Sequence, residues 1–195
     1  MALSYSKVSV EVKEILLNNR PPELLAVSIK GTVPVLCIND TTVIDESLDI
    51  MKWALIQNDP NLWIHYNKEM QFDIIEENDN EFKYWLDRYK YYERYPENNS
   101  DYYRAKCDCF LTKLNQLLEK NQYLLTNKLL LVDVAIVPFI RQFANVDKYW
   151  FKETYTKLSS WLNNIIESKL FASVMDKYLE YNSEQEPLIT NFNKS

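Results

Sequence analysis

Residues Lys30 to Leu36 read KGTVPVL and hold the only glycine in a chain of 195 residues. Glycine reaches backbone conformations that other residues avoid. One glycine is far below the usual abundance, which reads first as base bias of the genome and leaves most turns to Asn and Asp. Val33 to Ile38 is an apolar run interrupted only by Pro34, and it reads as a buried strand. From sequence alone the Val33–Pro34 bond is read as trans, the ordinary state. Asn39-Asp40 is a tight turn, and Thr41 to Ile44 is the returning strand. Asp45-Glu46-Ser47 then opens a helix, with acidic residues in its first turn as the helix dipole favours. That helix stops at Asp59-Pro60.

Upstream, Ser9 to Ile15 alternates apolar and polar residues, which reads as a strand over Val10–Ile15. Asn18 to Pro22 is a turn, and Pro22 suits the first position of a short helix through Ala26.

Downstream of Pro60 the strand signal disappears. Helices are expected over 63–75, 81–93, 101–120, 132–144, 155–168 and 171–178, with a break at Asn78-Asp79-Asn80. Leu111, Leu114, Leu117 and Leu118 share one helix face. The run VAIVPFI is apolar on every side, so its helix should be central, with a kink at Pro138. Two domains are expected, 1–58 and 62–182, followed by a tail, 183–195, that reads as loop.

The composition agrees with a soluble globular protein: 47% hydrophobic and 26% charged residues. The first 17 residues do not resemble a secretory signal, and no stretch approaches the ~20 apolar residues of a membrane span. A net charge of −6 disfavours nucleic acid and anionic membrane as partners. Three cysteines point to a reducing cytoplasm rather than a disulfide framework. Cys107 and Cys109 stand two apart on a helix and cannot pair within it. Cys37 reads as a core thiol. His65 stands alone, reads as helix surface and offers no metal-ligand pattern, so no metal is expected.

The segment PPELLAVSIKGTVPVLCINDTTVIDESLDIMKWAL resembles the second half of the thioredoxin-like N-terminal domain of the glutathione S-transferase family. FKYWLDRYKYYERYPE, DVAIVPFIRQFANVDKYWF and LFASVMDKY resemble its all-helical C-terminal domain. The resemblance implies an α/β domain followed by an all-α domain. It implies a cis Val33–Pro34 bond, with Val33 offering its backbone to the cysteinyl part of glutathione. It also implies that Glu46 and Ser47, at a helix N-terminus, hold the γ-glutamyl end. Glutathione would be a co-substrate, with no other cofactor. The partner would be a small hydrophobic electrophile or a disulfide, and a homodimer is possible. Tyr84, Trp85, Tyr89, Tyr91 and Tyr92 would line the electrophile pocket or pack as helix core.

By the same resemblance, the family's first strand and its activating Ser, Cys or Tyr fall outside this chain, and Met1 to Lys7 corresponds to the end of the first helix. The Val10–Ile15 strand would then lack an in-sheet neighbour, and Val33–Ile38 would have an open edge. A start upstream of Met1, a rearranged or swapped pairing, or a loosely ordered N-terminal half would each answer this. The first is expected. Ser4, Tyr5 and Ser6 are not expected to replace the absent group. The family also places Ser or Thr three residues before Asp133, where this chain has Leu130, so Leu130→Ser is expected to stabilise by about 0.5–2 kcal/mol. The function implied is glutathione conjugation or thiol transfer. The alternatives are a non-catalytic binding protein on the same fold and a glutaredoxin-like oxidoreductase.

Overall fold

A computed structural model describes residues 1–192; the last three residues of the expected tail lie outside the described residues. The chain forms two compact units. One comprises Met1–Asn61 with Lys169–Ser195, and the other Leu62–Ser168.

The first unit begins with α1 (Ala2–Tyr5), β1 (Val10–Glu11), α2 (Pro22–Val27), β2 (Leu36–Asn39), β3 (Thr42–Ile44) and α3 (Ser47–Gln57). β2 and β3 form an antiparallel hairpin. Asn39 Oδ1 closes its turn by accepting from the Thr41 and Thr42 amides at 3.0 and 2.9 Å, an Asx turn. The unit's buried apolar residues include Ala2, Ile50, Ala54 and Leu55.

Several expectations change here. The expected Val10–Ile15 strand contracts to β1 with an isolated bridge at Glu14. The expected strand at Val33 begins only at Leu36. The run is not buried: Val33 is 48% exposed and Cys37 is exposed rather than a core thiol. The reason is topological. β1 and the β2–β3 hairpin belong to separate two-stranded sheets, so among the described residues no strand joins them across the Val33 run.

β1 nevertheless has a neighbour. Ile189–Thr190, in the segment expected as loop, is a strand (β4) antiparallel to β1. The Val12 amide donates to the Leu188 carbonyl at 2.8 Å, and the Tyr181 amide to the Glu14 carbonyl at 2.7 Å. Backbone groups need partners, and the C-terminal segment supplies them on one edge of β1. A short helix, Lys169–Ala172, precedes that segment, where 171–178 was expected.

The second unit is helical: α4 (Lys68–Glu77), α5 (Lys83–Lys90), α6 (Ser100–Leu117), α7 (Leu131–Ala144), α8 (Lys148–Thr154) and α9 (Thr156–Ile166). α4 starts five residues later than expected because Leu62 and Asn67 adopt positive φ. His65 therefore lies in a turn, not on a helix. The expected break at Asn78-Asp79-Asn80 is instead a π-helical turn, Asn78–Phe82, between α4 and α5. Such a turn passes one extra residue without ending the helix, and buried Asn78 and Phe82 hold it in place. α5 is shorter than expected and ends in a 3-10 turn, Tyr92–Arg94. α8 has no counterpart among the expected helices.

α7 is central as expected. Leu131 to Val137 are all buried, and the helix continues through Pro138. The Phe82 and Tyr89 rings lie 6.0 and 4.9 Å from its Phe143, and the Trp161 indole donates to its Asp133 at 2.8 Å; Leu111 and Leu114 of α6 are fully buried as well. Gln71 ties α4 to the start of α7: its Oε1 accepts from the Val132 amide at 3.1 Å, and its Nε2 donates to the Trp63 and Tyr66 carbonyls.

Candidate functional site

The lone glycine has φ +58°, and a Cβ there would lie 2.8 Å from Leu25 Cδ2. Both facts explain Gly31. It follows α2 closely and sets the direction of Thr32 and Val33. The Val33–Pro34 bond is cis, against the reading from composition and with that from the resemblance. Val33 and Val35 make no backbone hydrogen bond among the described residues.

The same turn places Lys30 against the start of α3. Its Nζ lies 2.5 Å from Glu46 Oε1 and 3.4 Å from Asp45 Oδ1. Ser28 Oγ also donates to Asp45 Oδ2 at 3.1 Å. The two carboxylates hold the Lys30 pKa above its ordinary value. Sequence reasoning passed over Lys30 and Asp45. Their only signal is position, one beside Gly31 and the other beside Glu46.

Glu46 is the N-cap of α3 and Ser47 its first residue. Both are exposed, and the Ser47 hydroxyl has no protein partner among the described residues. α3 is long enough for its first amides to carry a partial positive charge. An anion at that end would meet backbone N–H groups, and the carboxylate of Glu46 would meet a cation once Lys30 moves aside.

Val33 and Pro34 follow Lys30 by three and four residues. They help form the wall of a groove of about 890 Å³, which Cys37 also borders. Glu46 and Ser47 are not part of that wall. The four expected site residues thus form two pairs rather than the lining of one cavity.

Of the early hydroxyls, Ser6 Oγ is buried with no hydrogen-bond partner among the described residues, whereas those of Ser4 and Tyr5 are engaged. Ser4 Oγ lies 3.0 Å from Ser173 Oγ. Tyr5 donates to Asp59 Oδ1 at 2.9 Å and accepts from the Asn61 amide at 2.7 Å. Burial, first, and the neighbouring Asp59 push its phenol up to about 12. Neither is poised to ionise at neutral pH.

The aromatic residues of α5 divide by environment. Tyr89 is buried with its ring 4.9 Å from Phe143. Tyr84 is half exposed, with the Arg88 guanidinium 3.5 Å from its ring centre. Cys107 is buried, which pushes its thiol up to about 12, whereas Cys109 is exposed. No three His, Cys, Asp or Glu residues are grouped to hold a metal among the described residues.

Residues 1–62 match the family model for the glutathione S-transferase N-terminal domain, and residues 77–169 the model for its C-terminal domain. None of the curated proteins matches the chain significantly. Among solved structures, a Gtt2-class glutathione S-transferase of Vibrio parahaemolyticus is 18% identical, covering 87% of this chain and 89% of its own, with a TM-score of 0.64. Glutathione S-transferase-I, solved with lactoylglutathione, is 20% identical over 89% of this chain and 91% of its own, with a TM-score of 0.69. The bacterial enzyme BphK, solved as a ternary complex, is 15% identical over 88% of each chain, with a TM-score of 0.71. At these identities the structures speak for the fold alone. The two consecutive family matches, in the order of an α/β segment and a helical one, are the deciding observation: the chain belongs to the glutathione S-transferase family.

Proposed function

We propose that this protein binds glutathione, with the γ-glutamyl end at Glu46 and Ser47 and the cysteinyl part along the backbone of Val33 beside Pro34. The observation that carries the reading is the free Ser47 hydroxyl at the start of α3, where a carboxylate is favoured by hydroxyl, amides and helix dipole together. The unpaired backbone of Val33 supports it, because an extended ligand can take strand-like bonds there. Lys30 occupies Glu46 in the free protein, so the ligand's ammonium would exchange with a lysine rather than meet a bare carboxylate.

The activity that goes with this site is transfer of the glutathione thiol to a small apolar electrophile or a disulfide, in the cytoplasm, with a homodimer as the working assembly. Retention of the full chain on immobilised glutathione tests binding, and turnover of a chloronitrobenzene electrophile tests transfer. Retention that Glu46→Gln and Ser47→Ala both abolish supports the site. Passage through the resin unretained overturns it.

A second reading is a non-catalytic binding protein on the same fold. It is favoured by the engagement of Ser4 and Tyr5 in packing contacts, which leaves neither to stabilise a thiolate. Retention on glutathione without turnover would select it.

A further inference from the structure

Trp85 stands at the centre of a group of aromatic rings carried by α5 and the first turns of α6. It is half-buried. The buried Tyr103 ring lies nearly parallel to it, with planes at 28° and ring centres 6.5 Å apart. Tyr84 and Tyr102 stand almost at right angles to it, at 84° and 79°, with ring centres 4.8 and 6.5 Å away. Both remain open to solvent, at 49% and 41% exposure. Backbone contacts fix the group. The Tyr103 hydroxyl donates to the Tyr95 carbonyl at 2.9 Å. The Tyr102 amide donates to Asn99 Oδ1 at 2.9 Å, as part of the α6 cap.

Two of the chain's own cations use these rings. Arg88 lies over Tyr84 at 3.5 Å and over Tyr95 at 4.6 Å, and it also donates to the Tyr84 carbonyl at 3.2 Å. Lys106, one turn after Tyr102, holds its Nζ 5.5 Å from the Trp85 ring centre and 5.2 Å from that of Tyr102. Lys106 is exposed, and no ion pair engages it among the described residues. One cation over one exposed ring is commonplace. An ammonium shared by two rings, with a third ring set across the first, marks a point that favours positive charge from several sides.

A lysine ammonium is a poor occupant of that point. It is compact, strongly hydrated and carried on a flexible stem. A quaternary ammonium is weakly hydrated and offers methyl groups to every ring at once, which is the chemistry that aromatic cages recognise. The net charge of −6 also favours the approach of cations.

We propose that Trp85, Tyr84 and Tyr102 form a binding site for a quaternary alkylammonium group, which takes the place of Lys106 Nζ. Trp85 and Tyr102 give their faces to the cation, and Tyr84 closes one side. Arg88 keeps the Tyr84 ring in place. Lys106 turns out to solvent and acts as a built-in competitor. This is neither of the roles expected for Tyr84 and Trp85 from the sequence. The residues all belong to the Leu62–Ser168 unit, and none is shared with the proposed glutathione site, so the test below does not depend on glutathione.

Choline is titrated into the full chain, with its neutral tert-butyl isostere as the control. Binding is followed by the upfield shift of the ligand methyl protons and by the Trp85 indole N–H signal. Saturable choline binding in the millimolar range is expected, at least about tenfold tighter than that of the isostere. Lys106→Ala should tighten choline binding by about two- to fivefold, the worth of one exposed cation–π contact. Tyr102→Leu should weaken it by about fivefold or more. A trimethyllysine peptide beside its unmethylated form separates the sources. Tighter binding of the methylated peptide than of choline assigns the group to a protein side chain, and equal or weaker binding assigns it to a small free cation. The proposal is overturned by absence of saturation at about 50 mM choline, by equal binding of the isostere, by a Lys106→Ala affinity that is unchanged or weaker, or by a Tyr102→Leu variant that binds choline as the wild type does.

Discussion

At Leu130 the side chain and the helix cap have opposite requirements. The sequence suggests a missing serine, because Asp133 supplies only half of a capping box. The Asp133 half is present: its Oδ2 accepts from the Leu130 amide at 3.0 Å. But Leu130 is only 3% exposed, a burial no local motif reveals. Losing a buried leucine costs about 2–5 kcal/mol, and a new cap returns about 0.5–2 kcal/mol. Leu130→Ser is therefore expected to destabilise, lowering the denaturant midpoint, and the sequence-based expectation is reversed. Asp133 itself does more than cap. Its Oδ1 accepts from the Leu124 amide at 3.0 Å and from the Trp161 indole at 2.8 Å. Burial outweighs these hydrogen bonds and raises its pKa from 3.8 to about 6. The folded state then holds this proton more tightly than the unfolded state. The contribution is full below about pH 4 and is lost as pH rises through about 6. Compared with Asp133→Asn, the wild type should lose more stability between pH 4 and 6.5, measured as melting temperature at each pH. Parallel profiles would remove Asp133 as the cause.

Among the elements, those made by local chemistry were legible and those made by distant pairing were not. The positive φ of Gly31 is a finding of the structure, whereas the Asn39 turn and the apolar run of α7 each announce themselves within a few residues. The strand at Ile189–Thr190 does not, because its reason for existing is the unmet edge of β1, almost the whole chain away. Cys37 was misjudged for the same reason: an apolar run implies burial only if another strand covers it. The π turn at Asn78–Phe82 escaped because Asn and Asp favour breaks locally, while the packing of Phe82 keeps the helix going. Of the site, the pairing of Glu46 with Ser47 at a helix start was legible, but the clasp of Lys30 was not. The tail pairing is testable directly. Deleting residues 187–195 should speed exchange of the Val12 amide by about tenfold or more and leave the α7 amides unchanged. An unaltered Val12 amide would contradict the β1–β4 ladder.

For the whole molecule, the division of the core sets the order of stability. Among the described residues the largest fully buried side chains all belong to the Leu62–Ser168 unit, from Ile74 to Trp161. The other unit exposes Leu16, Leu17, Val33 and Ile38, so less apolar surface holds it together. Native-state hydrogen exchange is expected to show α3 and the β2–β3 hairpin opening at lower free energy than α6 and α7. The reverse order would contradict this account of where the stability lies. The proposed glutathione site thus sits on the less stable unit, where ligand binding has the most to add. The measurement that bears most directly on it is an NMR titration of the full chain with reduced glutathione, following the Val33, Ser47 and Leu48 amides beside a Ser47→Ala variant. Saturable shifts at all three, weakened by about tenfold in the variant, are the predicted result. No shift at about 10 mM glutathione, or shifts confined to other residues, would contradict it.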